Sequence, residues 1–257
     1  MPGVFPLKDS IPTERFPWVT IALIVANVVV YFGLQRGGIL SGPSQSSVID
    51  FGAIPFEITH PGDHCVEAGQ TISCGAIDPA GQPPTWVTVF SSMFMHGSIL
   101  HLAGNMLFLW IFGNNIEDSM SRARFIAFYL LGGIAALALQ VVVEPDSAVP
   151  TIGASGAIAA VLGGYLLRYP GARIITLFII VFFFTIVELP ALLVLALWFG
   201  QQVLFGALAW GSPMGDGGGV AYFAHIGGFV FGLAAIRLFA QRRALVPPRP
   251  VATRSWP

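Results

Sequence analysis

The chain has 257 residues, of which 55% are hydrophobic and only 10% are charged. An average soluble domain is about 25% charged, so this composition excludes an ordinary soluble protein and indicates a membrane protein with several spans. The formal net charge is −1, which gives no reason to expect a nucleic-acid partner. The one lysine, Lys8, is not part of a Gly-Lys-Ser/Thr run, which excludes a phosphate-binding P-loop.

Six apolar runs predict spanning helices, because a helix that crosses the hydrocarbon core needs about 20 mostly apolar residues. We therefore expect an all-α fold, that of a polytopic membrane protein with a six-transmembrane-helix bundle over residues 17–240. A cytoplasmic N-terminal segment, 1–16, precedes the bundle, and a proline-rich cytoplasmic tail, 241–257, which we expect to be disordered, follows it. The six predicted spans are 17–35, 88–112, 125–143, 153–168, 191–210 and 221–240.

Basic residues orient the bundle, because loops rich in Arg and Lys stay on the inner side of a membrane. If the N-terminus lies inside, 11 of the 12 basic residues lie inside and only Arg36 lies outside. The N-terminal stretch lacks the pattern of a secretion signal, and no transit peptide is evident. We therefore expect a multi-pass protein of a bacterial plasma (cell) membrane, with both termini in the cytoplasm and the long loop 37–87 outside.

The outer loop carries both cysteines, in the sequence HCVEAGQTISC. Cys65 and Cys74 lie close in sequence and in a setting that we expect to be oxidising, which favours a local disulfide. Two alternatives remain open. One is a zinc site that the cysteines form with His60 and His64, and the other is a pair of free thiols.

Ionisable side chains within the predicted spans are few, and each is a candidate functional residue because a charge is costly in lipid. They are His96, His101 and His225. No aspartate lies in a span, which argues against a diaspartyl protease and an ion-driven transporter. The sequence has no His-Glu-x-x-His run, which argues against a zinc protease. The remaining histidine, serine and asparagine side chains are those that serine hydrolysis uses.

The second predicted span contains HGSILHLAGNMLFLW. His101 and Asn105 are four residues apart, so both side chains lie on one helical face. From that face both can donate hydrogen bonds to an oxyanion. His96 lies about 140° away around an ideal helix, which also fits a position just before the helix begins. Two roles remain open for it: support of catalysis, or a structural role at the membrane interface.

The fourth predicted span opens with TIGASGAIAAVLGG. Ser155 lies in its first turn, where free backbone N–H groups can stabilise an oxyanion, and Gly153 and Gly156 allow a substrate backbone to approach closely. These features make Ser155 a candidate nucleophile. The alternative is a helix-capping serine beside a stripe of small residues at spacing four, which packs helices together.

A seventh apolar run, 172–189, is predicted not to span the membrane. A crossing there would invert the orientation of the last two spans. His225, the candidate partner of Ser155 described in the next paragraph, would then lie a full bilayer, about 30 Å, from it. The crossing would also move Arg237 to the outer side, against the charge bias. The Ile, Val, Phe and Thr content of the run suits an extended hairpin as well as a helix, and we expect it at the inner interface.

The sixth predicted span begins with AYFAHIGGFVFG. The fourth and sixth spans run in the same direction, so Ser155 and His225 are expected at similar depth. A neutral imidazole beside a serine hydroxyl forms an activated nucleophile. Because no aspartate is available at that depth, we predict a catalytic dyad and not a triad. The alternative is a histidine that bonds a backbone carbonyl.

Three motifs together resemble the rhomboid family of intramembrane serine proteases: HGSILHLAGNMLFLWIFGNNIED, GASGAIAAVLGGYL and AHIGGFVFG, in this order. The resemblance covers about residues 17–240 and implies a six-helix bundle with a hydrated cavity open to the outside. It implies that Ser155 is the nucleophile and His225 the general base, and that His101, Asn105 and the Ser155 backbone N–H form the oxyanion hole. It implies no metal and no organic cofactor.

Two details qualify the resemblance. Some family members have an aromatic residue four positions after the nucleophile, stacked on the catalytic histidine, whereas this chain has Ala159 there. The difference leaves open what holds the His225 ring. Glu117, which follows the second span, is expected to be structural and to tie a helix end to the inner loop.

The predicted function is that of an intramembrane serine endopeptidase that hydrolyses peptide bonds in or near transmembrane helices by a Ser-His dyad. Its expected partners are transmembrane-helix protein substrates and membrane lipid. The alternative is a catalytically inactive rhomboid-like chaperone or adaptor that binds membrane helices. The fifth span resembles the lateral gate of the family, and the glycine-rich loop 211–220 is interpreted as a mobile lid or a flexible linker.

Overall fold

The computed structural model describes residues 3–69, 71–77, 81–180, 183–210 and 220–241. In chain order its elements are β1 Gly3–Asp9, α1 Trp18–Val29, α2 Gln45–Phe51, α3 Pro55–Thr59, β2 His64–Ala68, β3 Thr71–Gly75, α4 Thr85–Ser91, α5 Ile99–Phe108, α6 Asn114–Asp118, α7 Arg122–Val143, α8 Ser155–Arg168, β4 Arg173–Ile180, β5 Phe183–Pro190, α9 Ala191–Ala209 and α10 Tyr222–Phe239. Short π or 3₁₀ turns extend α1, α4 and α5 over Val30–Leu34, Ser92–Phe94 and Leu109–Gly113. Apart from residues 220 and 241, the predicted lid at 211–220 and the tail at 241–257 lie outside the described residues.

The centre of the bundle is α8, in which every residue from Gly156 to Tyr165 is buried. Helices α7 and α10 pack along it. Gly228 and Gly232 of α10 face the backbone carbonyls of Gly156 and Ala160 in α8. Because both contacts advance by four residues, α8 and α10 run in the same direction, and small residues let their backbones approach closely.

The structure is mostly helical and contains several helices that suit a membrane. Among the described residues, four segments are long and apolar enough to cross a bilayer: Ile99–Asp118, Arg122–Val143, Ala191–Ala209 and Tyr222–Phe239. The other two predicted spans form shorter apolar helices, Trp18–Leu34 and Ser155–Arg168.

The predicted second span, 88–112, is not one continuous helix. The 3₁₀ turn after α4 ends at Phe94, and α5 begins at Ile99. Between them Ser98 has an extended backbone, and its hydroxyl accepts a hydrogen bond from the His101 N–H at 3.1 Å. This contact is an N-cap, so a new helix starts at the polar HGS sequence. The apolar run 88–112 therefore contains the end of α4 and the whole of α5, which are separate helices.

The all-α prediction holds only in part, because the mostly helical structure also contains an antiparallel sheet with the strand order β1-β4-β5. The apolar run 172–189 forms the β4–β5 hairpin, in which Arg173 pairs with Pro190, and β1 pairs with the other edge of β4. Ile, Val, Phe and Thr favour a pleated strand, and the two neighbours satisfy the backbone groups of β4. The run therefore forms no spanning helix.

The N-terminal segment contributes β1 and is anchored by two carboxylates. Asp9 is buried at the end of β1 and accepts hydrogen bonds from the Tyr165 hydroxyl, at 2.7 Å, and from the Asn115 side-chain amide. Glu117 accepts hydrogen bonds from the Thr20 backbone N–H and hydroxyl, both at 2.8 Å. These contacts tie the start of the chain to α8 and α6, and they give Glu117 structural partners at the beginning of α1.

The loop 37–87 contains the β2–β3 hairpin. Cys65 and Cys74 are direct cross-strand partners there and form a disulfide, with Cα atoms 4.0 Å apart. Cys65 is fully buried and packs with Ile49 and Ile54. Both sulfurs are bonded, so they cannot act as the thiolate ligands of a zinc site. The described residues contain no group of His, Cys, Asp and Glu placed to hold a metal ion.

Candidate active site

Ser155 and His225 contact each other directly. His225 Nε2 lies 2.8 Å from Ser155 Oγ, although the two residues are 70 positions apart in sequence. Ser155 is the first residue of α8, and His225 lies in the first turn of α10. The hydroxyl can donate to the imidazole in this arrangement, which is the geometry that a nucleophile and its general base require.

Gly153 shapes the loop that leads into α8. Its φ is +123°, a value that side-chain-bearing residues rarely adopt, and its N–H donates to the Ser92 carbonyl at 2.8 Å. A β-carbon at this position would lie 2.9 Å from His101 Nε2 and 3.5 Å from Ser155 Oγ. The missing side chain therefore leaves a space that the His101 ring and the Ser155 hydroxyl both border.

His101 presents a defined ring nitrogen to this space. Its Nδ1 accepts a hydrogen bond from the Gly97 N–H at 3.3 Å. A neutral imidazole has one donor and one acceptor nitrogen, so the proton lies on Nε2. Because Nε2 is one of the ring atoms nearest to Gly153, His101 offers a hydrogen-bond donor beside Ser155.

Asn105 lies one turn after His101 on α5, as the spacing of four predicts. The residue is 8% exposed, and its Nδ2 has no hydrogen-bond partner within the described part of the chain. A buried amide donor without a partner costs free energy. This donor is therefore available to a substrate oxygen that enters the site.

His96 is fully buried in the break before α5. Gln35 holds its backbone, since the His96 N–H donates to Gln35 Oε1 at 2.9 Å and Gln35 Nε2 donates to the His96 carbonyl at 3.0 Å. The His96 ring packs edge-on against His101, with centroids 5.0 Å apart. These contacts make His96 a packing neighbour of His101, and none of its described hydrogen bonds reaches Ser155 or His225.

Two residues of α9 that contact His225 were missed by the sequence analysis. Gln202 Oε1 lies 2.8 Å from His225 Nδ1, and the Trp198 ring centroid lies 5.7 Å from the imidazole centroid. The available signal was a glutamine within an apolar run, because a buried amide needs a hydrogen-bond partner. The sequence left open what holds the His225 ring, because position 159 is alanine and not aromatic. Gln202 and Trp198 supply contacts to that ring from α9.

A small cavity of about 30 Å³ adjoins Ser155. Its walls include Met93, Gly133 and Gly156. A space of this size holds about one water molecule. The nucleophile therefore has room beside it for a single water.

The chain belongs to the rhomboid family, because the model of the Rhomboid domain matches residues 83–242. This confirms the resemblance seen in the sequence motifs. Rhomboid protease GluP of Bacillus subtilis (strain 168) is 35% identical over 174 residues, which cover 64% of this chain and 29% of that protein. Rhomboid protein 1, mitochondrial, of Saccharomyces cerevisiae is 30% identical over 158 residues, 57% of this chain and 40% of that protein.

A third relative is the presenilin-associated rhomboid-like protein, mitochondrial, of Mus musculus. It is 36% identical over 96 residues, which cover 37% of this chain and 26% of that protein. The match therefore spans about a quarter of the length of this relative.

The predicted location in a bacterial plasma membrane is wrong by the same comparisons. The relatives from mouse and yeast are named as mitochondrial proteins, and this finding overturns the prediction. The prediction failed because it rested on the absence of an evident transit peptide, and neither that absence nor the apolar runs and basic residues identify which membrane a chain enters.

Proposed function

We propose that this chain is an intramembrane serine endopeptidase that hydrolyses peptide bonds in or near the transmembrane helices of other membrane proteins. The observation that carries the proposal is the 2.8 Å contact between Ser155 Oγ and His225 Nε2. The similarity to a protein named rhomboid protease GluP supports the same chemistry. The proposed reaction uses no metal and no organic cofactor.

Acylation is the first half of the proposed reaction. Ser155 Oγ attacks the substrate carbonyl carbon while its proton passes to His225 Nε2. The carbonyl oxygen becomes an oxyanion, which accepts hydrogen bonds from the Ser155 backbone N–H, His101 Nε2–H and Asn105 Nδ2–H. His225 then gives its proton to the leaving amine as the C–N bond breaks, and an acyl ester remains on Ser155.

Deacylation is the second half. One water attacks the ester carbonyl while His225 accepts a proton from it. The same donors hold the second oxyanion. The ester C–O bond then breaks, Ser155 regains a proton from His225, and the product leaves as a carboxylic acid. The cavity beside Ser155 has room for the water that this step consumes.

The length of α8 supports the proposed cleavage at membrane depth. Its 14 residues make a helix about 21 Å long, which is shorter than the hydrocarbon core of about 30 Å. We infer six spans, comprising the four long apolar segments together with α8 and α1 with its π turn, so that Ser155 lies recessed below one membrane face. A substrate helix must unwind to reach it, and glycine or proline near the cut favours unwinding.

A non-catalytic adaptor that binds membrane helices is the second candidate function. The name of the mouse relative records an association with presenilin, and both candidate functions involve contact with membrane proteins and lipid. Only the peptidase requires the Ser155 hydroxyl, so covalent chemistry distinguishes the two.

Cleavage of a helical membrane substrate in detergent tests the proposal. Ser155→Ala and His225→Ala should each abolish turnover while the protein remains folded. The matched control is Ser121→Ala, because Ser121 also lies at the start of a helix but its hydroxyl accepts a hydrogen bond from the Arg124 N–H. Full turnover in Ser155→Ala or His225→Ala rejects the dyad.

A further inference from the structure

We propose that Gln202 is a positioning residue of the active site: it accepts a hydrogen bond from His225 Nδ1–H and thereby holds the imidazole in the tautomer whose Nε2 receives the Ser155 proton. The inference rests on the proposed function, and it assigns to α9 a part in catalysis that neither the motifs nor the predicted dyad contain.

The three side chains form one continuous hydrogen-bonded series. Gln202 Oε1 lies 2.8 Å from His225 Nδ1, and His225 Nε2 lies 2.8 Å from Ser155 Oγ. A carboxamide oxygen can only accept, and a neutral imidazole has one donor and one acceptor nitrogen. The proton must therefore lie on Nδ1, which leaves Nε2 as the acceptor that the serine hydroxyl faces.

A second contact sets the orientation of the Gln202 amide. Its Nε2 donates to the Trp198 carbonyl one turn earlier on α9, at 3.4 Å, which directs the oxygen of the amide toward the imidazole. Gln202 is only 5% exposed, and the Trp198 ring packs beside the same imidazole. One face of α9 thus supplies both a polar and an aromatic contact to His225.

The chemistry of glutamine suits this place. A carboxylate in a catalytic triad both orients the imidazole and stabilises its charged form, but a charge within an apolar helix is costly. A neutral amide orients the ring without that cost. Loss of the amide should therefore affect the chemical step, in which the base must be aligned, and should leave substrate binding nearly unchanged.

The kinetic test compares three variants of the full chain. Gln202→Leu removes the acceptor, Gln202→Glu keeps an oxygen at the same reach, and Gln201→Leu alters the exposed neighbour on the same helix. We expect Gln202→Leu to lower kcat by about 10- to 100-fold, by analogy with the loss when the hydrogen-bond partner of a metal-bound histidine is removed, with little change in KM. Gln202→Glu should recover much of the rate, and Gln201→Leu should match the unaltered protein.

Nitrogen-15 NMR of the protein labelled at histidine supplies a readout independent of turnover, with His225→Ala for assignment. The unaltered protein should carry its proton on His225 Nδ1, and this preference should weaken in Gln202→Leu. A proton on Nε2 in the unaltered protein overturns the inference, even if Gln202→Leu does not fold.

The outcomes separate this inference from the function on which it rests. If the unaltered chain cleaves substrate and Gln202→Leu is as active as Gln201→Leu, the role of Gln202 is refuted and the peptidase stands. If the unaltered chain neither cleaves substrate nor reacts covalently at Ser155, the proposed function fails, and the NMR measurement still decides whether Gln202 sets the tautomer.

Discussion

Gly228 of α10 packs directly on the backbone carbonyl of Gly156 in α8: a β-carbon at position 228 would lie 2.0 Å from that oxygen. Gly156 follows Ser155, and Gly228 lies less than one turn after His225. The close approach of the two backbones therefore fixes the distance between the serine hydroxyl and the imidazole. The stripe of small residues, considered in the sequence as an alternative to catalysis, is the packing surface that makes the pair possible.

Gly228→Ala should therefore damage both stability and turnover. The new β-carbon would meet the backbone of Gly156, which cannot rotate away as a side chain can, and overpacking of this kind typically costs about 1–3 kcal/mol. The control is Gly200→Ala on α9, where a β-carbon has no neighbour within 4 Å. Thermal unfolding and cleavage in detergent measure the two effects. Equal behaviour of both variants would refute the packing argument.

Asn105→Ala should slow the chemical step. Loss of one oxyanion donor typically lowers the rate by about 10²–10³-fold, or roughly 3–4 kcal/mol, and KM should change little. The control is Asn27→Ala, because Asn27 Nδ2 donates to the Leu23 carbonyl within α1 and its loss should affect stability rather than kcat. A parallel fall in substrate affinity and turnover for Asn105→Ala would assign it a ground-state role instead.

The disulfide should stabilise the hairpin of the 37–87 loop. The disulfide closes a loop between residues 9 positions apart in sequence, which removes unfolded-state entropy equivalent to about 2–3 kcal/mol. The double variant Cys65→Ala/Cys74→Ala should therefore unfold at lower denaturant concentration than the parent. Mass spectrometry of a peptide that contains both cysteines should show the loss of two hydrogens. Two alkylatable thiols in protein isolated without reductant would contradict the bond.

Glu57 should make the stability of the loop depend on pH. Its carboxylate is buried and accepts a hydrogen bond from the Cys65 N–H at 2.7 Å, and burial raises its pKa above the ordinary value of 4.5. The folded protein therefore holds this proton to higher pH than the unfolded chain does. The contribution of the protonated Glu57 side chain to the free energy of unfolding is fully present below pH 4.5, and it is lost as the pH rises through the folded-state pKa of Glu57.

Denaturant unfolding of the parent and of Glu57→Gln, measured across this range, checks that sign. The free energy of unfolding of the parent relative to Glu57→Gln should fall as the pH rises. Glu67→Gln, which alters an exposed carboxylate of the same hairpin, provides the control. Parallel curves for the parent and Glu57→Gln would show that Glu57 does not contribute.

The contact between Ser155 and His225 was predictable because each residue lies near the start of an apolar run. One span separates the two runs, so both run in the same direction and both residues lie at the same membrane face. The hairpin at 172–189 was predictable only as one of two possibilities, since an apolar run suits a strand or a helix until its partners are known. Its partner β1 lies in a segment with no apolar periodicity. Only the poor match of His96 to the helical face of His101 and Asn105 indicated the break before Ile99, because apolar residues continue on both sides of the HGS sequence.

Gln202 could not be assigned to the site from the sequence. An amide carries no charge and therefore does not stand out among the costly groups of a span. Its role depends on the rotation of α9 about its axis, which packing against α10 determines. The apolar residues on all sides of α9, such as Leu197 and Leu204, give no face that predicts this rotation.

Covalent reaction at Ser155 tests the central claim most directly. A serine-directed fluorophosphonate, added to the purified chain in detergent, should react at this residue and be located by mass spectrometry on the peptide that contains Ser155. Reaction should be lost in Ser155→Ala and strongly slowed in His225→Ala, because the imidazole must take the proton of the hydroxyl. A folded parent that does not react, or Ser155→Ala protein that reacts as fast as the parent, would contradict the account.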